Sequence, residues 1–367
     1  MCDAGADVIK LEPPGGDLSR VRGSQRVGAG GQRSISGFSA AVNRGKRSIE
    51  IDLKSAGGQE VVHKLVATAD VVIENFAPGA IDRLGIGFDM LRAKHPRLIT
   101  VSINLWGVDS KDELAKRGGL ALVAEAESGV MGQTRDLNGA PIIQSLKVPI
   151  GDMATGLSAY AAITTALLER VRTGRGQHLA LSLVKTMLSL NSIAIAAAQM
   201  SGVPPATAAM GLFPTKDGLI CIGVNSDKLW ARLSKCMGRP ELADDPRYAG
   251  YRDRDSRVEE VNALVADWTT QFTSAELVDL VGPTGLPIGQ VASPDDIVAS
   301  STIDRLGWLV TIADGIGGIL KVPRGPMGWS RREDRVPKPG ENTEEILSGL
   351  GIDRERYAAL RSEGVFG

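Results

Sequence analysis

One aspartate in this chain stands where a nucleophile could stand. It lies in the run Pro149-Ile150-Gly151-Asp152-Met153-Ala154-Thr155-Gly156, and no charged residue follows from Met153 to Leu168. Within that stretch Met153, Leu157, Tyr160, Ile163, Leu167 and Leu168 recur at helical spacing. A helix that is apolar on most sides is expected to be buried. Glu169, Arg170 and Arg172 close it, and Gly174 is the expected stop. Asp152 therefore sits at the positive end of a long helix, which stabilises its ionised form. An ionised carboxylate can attack an electrophilic carbonyl in covalent catalysis. It can equally act as a helix N-cap, and from this segment alone the cap is the commoner role.

The elements that must position it follow two periods. Asp7–Glu12, Ser48–Leu53, Asp70–Glu74 and Leu98–Ile103 read as strands, rich in Val, Ile and Leu. Between the second and third, Gly57–Ala69 reads as a helix with Val61, Val62, Leu65 and Val66 on one side; Ala80–Lys94 is helical too. Strand, helix, strand in this order predicts parallel pairing in an α/β fold. Pro13–Val42, rich in Gly, Ser and Arg, reads as a long loop of the kind that often carries function. Two long helices are expected over Asp152–Val171 and Ala180–Met200. The texture changes after Gly202-Val203-Pro204-Pro205: a hairpin over Asp217–Val224 precedes helices over Asp227–Met237, Ser256–Gln271 and Ser274–Val281. Helices near Thr343–Leu350 and Arg354–Glu363 close the chain. These boundaries predict a large α/β domain over 1–204, a small domain over 205–305 and a C-terminal return over 306–367.

Composition removes several function classes. The chain has 367 residues, enough for two domains, and a formal charge of −1, which gives no reason to expect nucleic acid or an anionic membrane as the main partner. Cys2, Cys221 and Cys236 form no disulfide or zinc pattern, so a reducing cytoplasm fits. The N-terminus lacks the pattern of a signal peptide. Met187–Met200, the most apolar stretch, is too short to span a membrane and contains Ser189, Asn191, Ser192 and Gln199. His63, His95 and His178 are scattered, so no metal site is expected. Gly28-Ala29-Gly30-Gly31 and Gly315-Ile316-Gly317-Gly318 lack the strand-then-helix context of a nicotinamide-binding fingerprint. Gly45-Lys46-Arg47 is not a P-loop, and no G-x-S-x-G elbow occurs.

Several segments, taken in order, resemble the class III CoA-transferase family, the CaiB/BaiF group, whose members include formyl-CoA transferase, carnitine CoA-transferase and α-methylacyl-CoA racemase. They are Gly5-Ala6-Asp7-Val8-Ile9-Lys10-Leu11-Glu12-Pro13-Pro14-Gly15-Gly16-Asp17, Asn43-Arg44-Gly45-Lys46-Arg47-Ser48-Ile49, Asp52-Leu53-Lys54 and Glu74-Asn75-Phe76-Ala77-Pro78-Gly79. Asp82-Arg83-Leu84-Gly85, Gly151-Asp152, Thr173-Gly174-Arg175-Gly176-Gln177, Lys216-Asp217-Gly218 and Asp244-Asp245-Pro246-Arg247 complete the series. Each motif alone is weak; their order over nearly the whole chain is specific.

The resemblance implies a large Rossmann-like parallel-sheet domain, a smaller α+β domain and an interlocked homodimer. It implies that CoA moves from an acyl-CoA to a free carboxylic acid in the cytoplasm, with coenzyme A entering as substrate and neither metal nor nicotinamide taking part. Asp152 would be the nucleophile, passing through an acyl anhydride and an aspartyl-CoA thioester. Asn75, Phe76, Arg83 and Leu84 match positions that cradle the adenosine end of CoA. Apart from the resemblance, Arg83 could be a solvated helix charge and Phe76 a core ring. Lys46 and Arg47 could meet phosphates or form a surface charge pair.

The match has gaps. Family members carry a strand and a helix before the Gly5 segment, with a loop that contacts CoA; this chain begins four residues before Gly5, which implies a late start or a reduced CoA pocket. Pro13 stands where relatives often place an Arg for CoA. The racemase branch needs a His and a Glu where this chain has Leu120 and Ser226, so its proton-transfer pair is missing. The glycine loop of formyl-CoA transferase is not visible, which speaks against oxalate as acceptor. Glu125 and Glu127 near the expected site read as helix charges or as acid handlers. Besides the active transferase, a non-catalytic acyl-CoA-binding or heteromeric relative stays open; the identities of donor and acceptor do too.

Overall fold

The computed structural model describes residues 1–109, 111–145, 147–200, 206–329 and 334–367. They fall into two compact units. The first comprises Met1–Gly118, Thr155–Ser182 and Ile297–Gly367, and the second comprises Gly119–Ala154 and Leu183–Asp296. These units cut the chain elsewhere than the boundaries expected at 204 and 305.

In the first unit β1 (Ile9–Glu12) pairs in parallel with β2 (Arg47–Glu50). A second parallel sheet has the order β3 (Val71–Glu74), β4 (Ile99–Asn104), β5 (His178–Ser182). Val71 aligns with Ile99, and Thr100 with His178. The fold is thus mixed α/β with parallel strands, and β1 to β4 lie within three residues of their expected places. The helix Ala56–Thr68 starts because Ser55 accepts the Gly58 amide at 3.0 Å. Its apolar face, Val61, Val62, Leu65 and Val66, is buried. It packs into a core with Ile49, Ile51, Leu91 and Leu98, and with Ile346, Leu347, Leu360, Val365 and Phe366 from the other end of the chain.

The long loop is pinned rather than free. Glu12 is buried and pairs with Arg20, accepts from the Ser48 hydroxyl at 2.7 Å, and lies 3.5 Å from Lys10. Arg20 also donates to the Pro337 carbonyl. Burial alone would raise the Glu12 carboxyl, but the hydrogen bonds from Arg20 and Ser48 and the charges of Lys10 and Arg20 hold it at about 2. The antiparallel pair β9 (Leu309–Ala313) and β10 (Ile319–Pro323) turns around Asp314, whose Oδ1 accepts the Ile316 and Gly318 amides at 3.0 and 2.7 Å.

Two expectations are corrected here. The helix expected over Ala180–Met200 yields its start to β5, then runs as Leu183–Leu190 and Ser192–Ala198. His178–Ser182 is recruited by the free edge of β4, which outweighs the helical preference of Leu and Ala. Gly176 brings the strand in: its amide donates to the Pro96 carbonyl at 2.9 Å, and a Cβ there would lie 2.0 Å from the Leu98 carbonyl oxygen. The helix carrying Asp152 runs Ile150–Thr173 and is not buried all round. Ala159, Ile163 and Ala166 face inward, and Ile163 and Ala166 pack on Ile99 and Val101. Met153, Leu157, Leu168 and Val171 lie exposed, Val171 at 81%. A single sheet covers one face of a helix, and among the described residues the apolar side chains on the other face stay exposed.

In the second unit β6 (Met210–Pro214), β7 (Leu219–Gly223) and β8 (Ile288–Gln290) form an antiparallel sheet. Phe213, Ile220, Ile222, Trp230, Leu233, Val261, Val265 and Leu277 build its core with the helices Asp227–Cys236, Val258–Thr269 and Ser274–Val281. Arg254 lies inside it, 1% exposed. Among the described residues no helix is long and apolar enough to cross a membrane, and no cluster of His, Cys, Asp or Glu could hold a metal ion.

Candidate active site

The start of the helix Ile150–Thr173 is built from the second unit's own residues. Asp152 is its third residue, inside the first turn, so the N-cap reading fails on position. The helix dipole still favours its ionised form. Asp152 is exposed in the single chain. The Gly151 amide is one of the four that an α-helix leaves without an internal acceptor. It donates to Glu125 Oε1 at 3.1 Å.

Glu125 comes from the helix Ala121–Glu127 and is 1% exposed. Ala121, one turn earlier on the same face, closes on Gly151: a Cβ at 151 would lie 3.3 Å from both the Ala121 Cα and its carbonyl oxygen. The end of this helix is fixed as well. Ser128 Oγ donates to the Glu125 carbonyl at 3.1 Å, and Asn191 Nδ2 donates to the Ser128 carbonyl at 3.0 Å. Reading Glu125 as a helix charge missed this contact. The signal was present: Ala121, Ala124, Glu125 and Ser128 fall at i, i+3, i+4 and i+7, which is one buried face. Glu127 points to the exposed side.

The positions that match the family's CoA residues lie in the first unit. Asn75 and Phe76 follow β3, and the Phe76 amide donates to Glu74 Oε2 at 2.7 Å. The Phe76 ring is 43% exposed, so it is not a core ring. Gly79, at φ 75°, turns the chain into the short helix Ala80–Arg83. Ile81 and Leu84 pack on the core and leave Arg83 exposed. Among the described residues no carboxylate pairs with Arg83, which leaves its guanidinium available to an anion. The structure brings these four residues onto one short stretch; Asp152 falls in the other unit.

Lys46 and Arg47 do not present themselves as phosphate ligands. Arg47 is engaged by Asp7 and by Glu345, the latter at 3.0 Å. Burial would lower its basicity, but those two carboxylates hold it above the ordinary value. Burial, aided by the charge of Lys10, pushes the Lys46 ammonium down. Leu120 is exposed, and Ser226 is spent as an N-cap, accepting the Leu229 amide at 3.4 Å. Neither position supplies a proton-transfer group for a racemase.

The profile of CoA-transferase family III matches residues 1–343. The chain belongs to that family. As a class III CoA-transferase it is similar to succinyl-CoA--D-citramalate CoA-transferase of Chloroflexus aurantiacus, with 30% identity over 100% of this chain and 92% of that protein. It is 32% identical to succinate--glutarate CoA-transferase of Agrobacterium fabrum over 95% of this chain and 90% of that protein. The crystal structure of a CAIB/BAIF family protein from Brucella suis superposes with a TM-score of 0.80 at 31% identity, covering 95% of this chain and 93% of that one. The transferase accordingly handles acyl-CoA and carboxylate substrates, with coenzyme A carried between them.

Proposed function

We propose that this transferase moves CoA from an acyl-CoA to a free carboxylic acid, with Asp152 as the nucleophile. The observation that carries the reading is the Gly151-Asp152 pair in the first turn of a long helix, with the Gly151 amide gripped by Glu125. The Asp152 carboxylate adds to the thioester carbonyl, the C–S bond breaks, and CoA leaves as the thiolate. The product is a mixed anhydride between Asp152 and the donor acyl group. The thiolate then attacks the Asp152 carbonyl of that anhydride, releasing the donor carboxylate and forming an aspartyl-CoA thioester. The acceptor carboxylate attacks this thioester and expels the thiolate again. Thiolate attack on the acceptor's acyl carbon completes the exchange and frees Asp152. No water takes part, so a site that excludes it protects both anhydrides.

Asn75, Phe76, Arg83 and Leu84 are proposed to receive the adenosine end of CoA, with Arg83 on a phosphate and the Phe76 ring available for stacking. The name of the Chloroflexus relative makes succinyl-CoA the first donor to try. The large domain is read as Rossmann-like and the active protein as an interlocked homodimer. Exposed, uncharged helix faces support the dimer: Leu157, Leu168 and Val171 on one helix, and Ile193, 81% exposed, on Ser192–Ala198.

The test is intact-protein mass spectrometry after incubation with succinyl-CoA and other acyl-CoAs, quenched with hydroxylamine, on wild type and Asp152→Ala. A hydroxamate mapping to Asp152 and lost in the variant is the expected result. No adduct with any acyl-CoA, from folded dimeric protein, favours the non-catalytic relative instead.

A further inference from the structure

We propose that Glu125 is a positioning residue for the nucleophile, acting through the Gly151 amide; this rests on the reading of Asp152 above. Glu125 is an acidic side chain on the buried face of a helix whose other inward residues are alanines and a serine. Burying a carboxylate is costly unless polar groups satisfy it. Among the described residues no cation pairs with Glu125, and the polar partner of its side chain is the Gly151 N–H at 3.1 Å.

The helix Ala121–Glu127 therefore holds the residue before Asp152 in two ways. Ala121 sets the distance, because a Cβ at Gly151 would lie 3.3 Å from its backbone, close enough that the two helices would have to part slightly. Glu125, one turn further on, sets the direction of the Gly151 N–H and hence the rotation of the first helical turn. Asp152 is the next residue, so its Cα inherits that orientation. A carboxylate that must reach a thioester carbon along a defined line gains from a start that cannot fray. Misplacement on the order of 1 Å can cost about a hundredfold in rate. A residue that merely stabilised the fold would leave the acylation step of correctly folded protein unchanged.

Three variants separate these roles. Glu125→Gln keeps an acceptor of the same length, Glu125→Leu removes it, and Glu125→Asp withdraws it by one methylene while keeping the charge. The measurement is the rate of hydroxylamine-trapped adduct at Asp152 against acyl-CoA concentration, on dimeric protein whose circular dichroism matches wild type. The expected result is a rate about ten- to a hundredfold lower in Glu125→Leu and Glu125→Asp, half-saturation unchanged within about twofold, and rescue to within about threefold by Glu125→Gln. If Glu125→Leu does not fold, the Gln and Asp pair decides alone. An adduct in wild type with the same rate in Glu125→Leu or Glu125→Asp overturns this inference alone. A Glu125→Gln as slow as Glu125→Leu also overturns it, because the acceptor would then not be the operative feature. No adduct in wild type overturns the nucleophile reading and this one with it.

Discussion

Replacing Arg254 by methionine should unfold the second unit's core more readily, although methionine is apolar and of similar length. Arg254 is 1% exposed. Its Nη1 donates to the carbonyls of Tyr248 at 2.7 Å and Ala249 at 2.8 Å, and its Nη2 meets Asp227 Oδ1 at 2.7 Å. The guanidinium lies 5.4 Å from the centre of the Trp230 ring. Methionine keeps the aliphatic stem but strands two carbonyls, at about 1–3 kcal/mol each. It also loses the ring contact, worth about 1 kcal/mol. Relief from desolvating a guanidinium offsets part of this. The net expectation for Arg254→Met is a loss of about 2–4 kcal/mol. The Asp227 side chain is 63% exposed and regains water when its partner goes, so Asp227→Asn should cost under about 1 kcal/mol. Urea unfolding followed by tryptophan fluorescence measures both, since Trp230 and Trp268 lie in this core. An Arg254→Met protein as stable as wild type, or an Asp227→Asn protein equally damaged, would refute the reasoning.

Two further outcomes follow from the first unit. The Glu12 carboxyl is held at about 2 instead of the ordinary 4.5, so its stabilisation is fully present above pH 4.5 and is lost as pH falls toward 2. Glu12→Gln should therefore lower the stability by up to about 3 kcal/mol at pH 7, with the gap to wild type closing below pH 4.5; Tm curves that stay parallel down to pH 2 would contradict it. Arg83→Gln should raise KM for acyl-CoA about tenfold with Tm unchanged, because Arg83 is exposed and has no carboxylate partner among the described residues; a shifted Tm with unchanged KM would assign it to the fold.

What could be read from the residues alone depended on the range of the forces involved. Strands β1 to β4 and the helices of the second unit declare themselves by local period and capping, as Ser55 and Ser226 do. The strand β5 does not, because His-Leu-Ala-Leu-Ser is a strand only when the edge of β4 is beside it. Arg47 could not be told from a phosphate ligand, since one of its partners, Glu345, is 298 residues away. Asp152 stands out as the proposed nucleophile through its Gly-Asp pair and the charge-free stretch behind it. Its N-cap alternative needed the helix start at Ile150 to dismiss it. The exposed face of that helix was invisible because apolar residues look alike in the sequence whether they are buried or exposed.

The contribution of Val365 and Phe366 to the core around β2 has a consequence for biosynthesis. The Asp52 amide donates to the Val365 carbonyl at 2.8 Å, and a Cβ on Gly57 would lie 2.8 Å from a Val365 methyl carbon. A ribosome that has made β1, β2 and the Ala56–Thr68 helix has therefore not yet made Ile346, Leu347, Leu360, Val365 and Phe366, which help to bury them. Until residues 346–366 emerge, that apolar face lacks part of its cover, and chaperones can hold it and proteases can find it. Closing so long a loop makes this step slow, and it makes the docking of residues 346–366 the event that commits this unit to its fold.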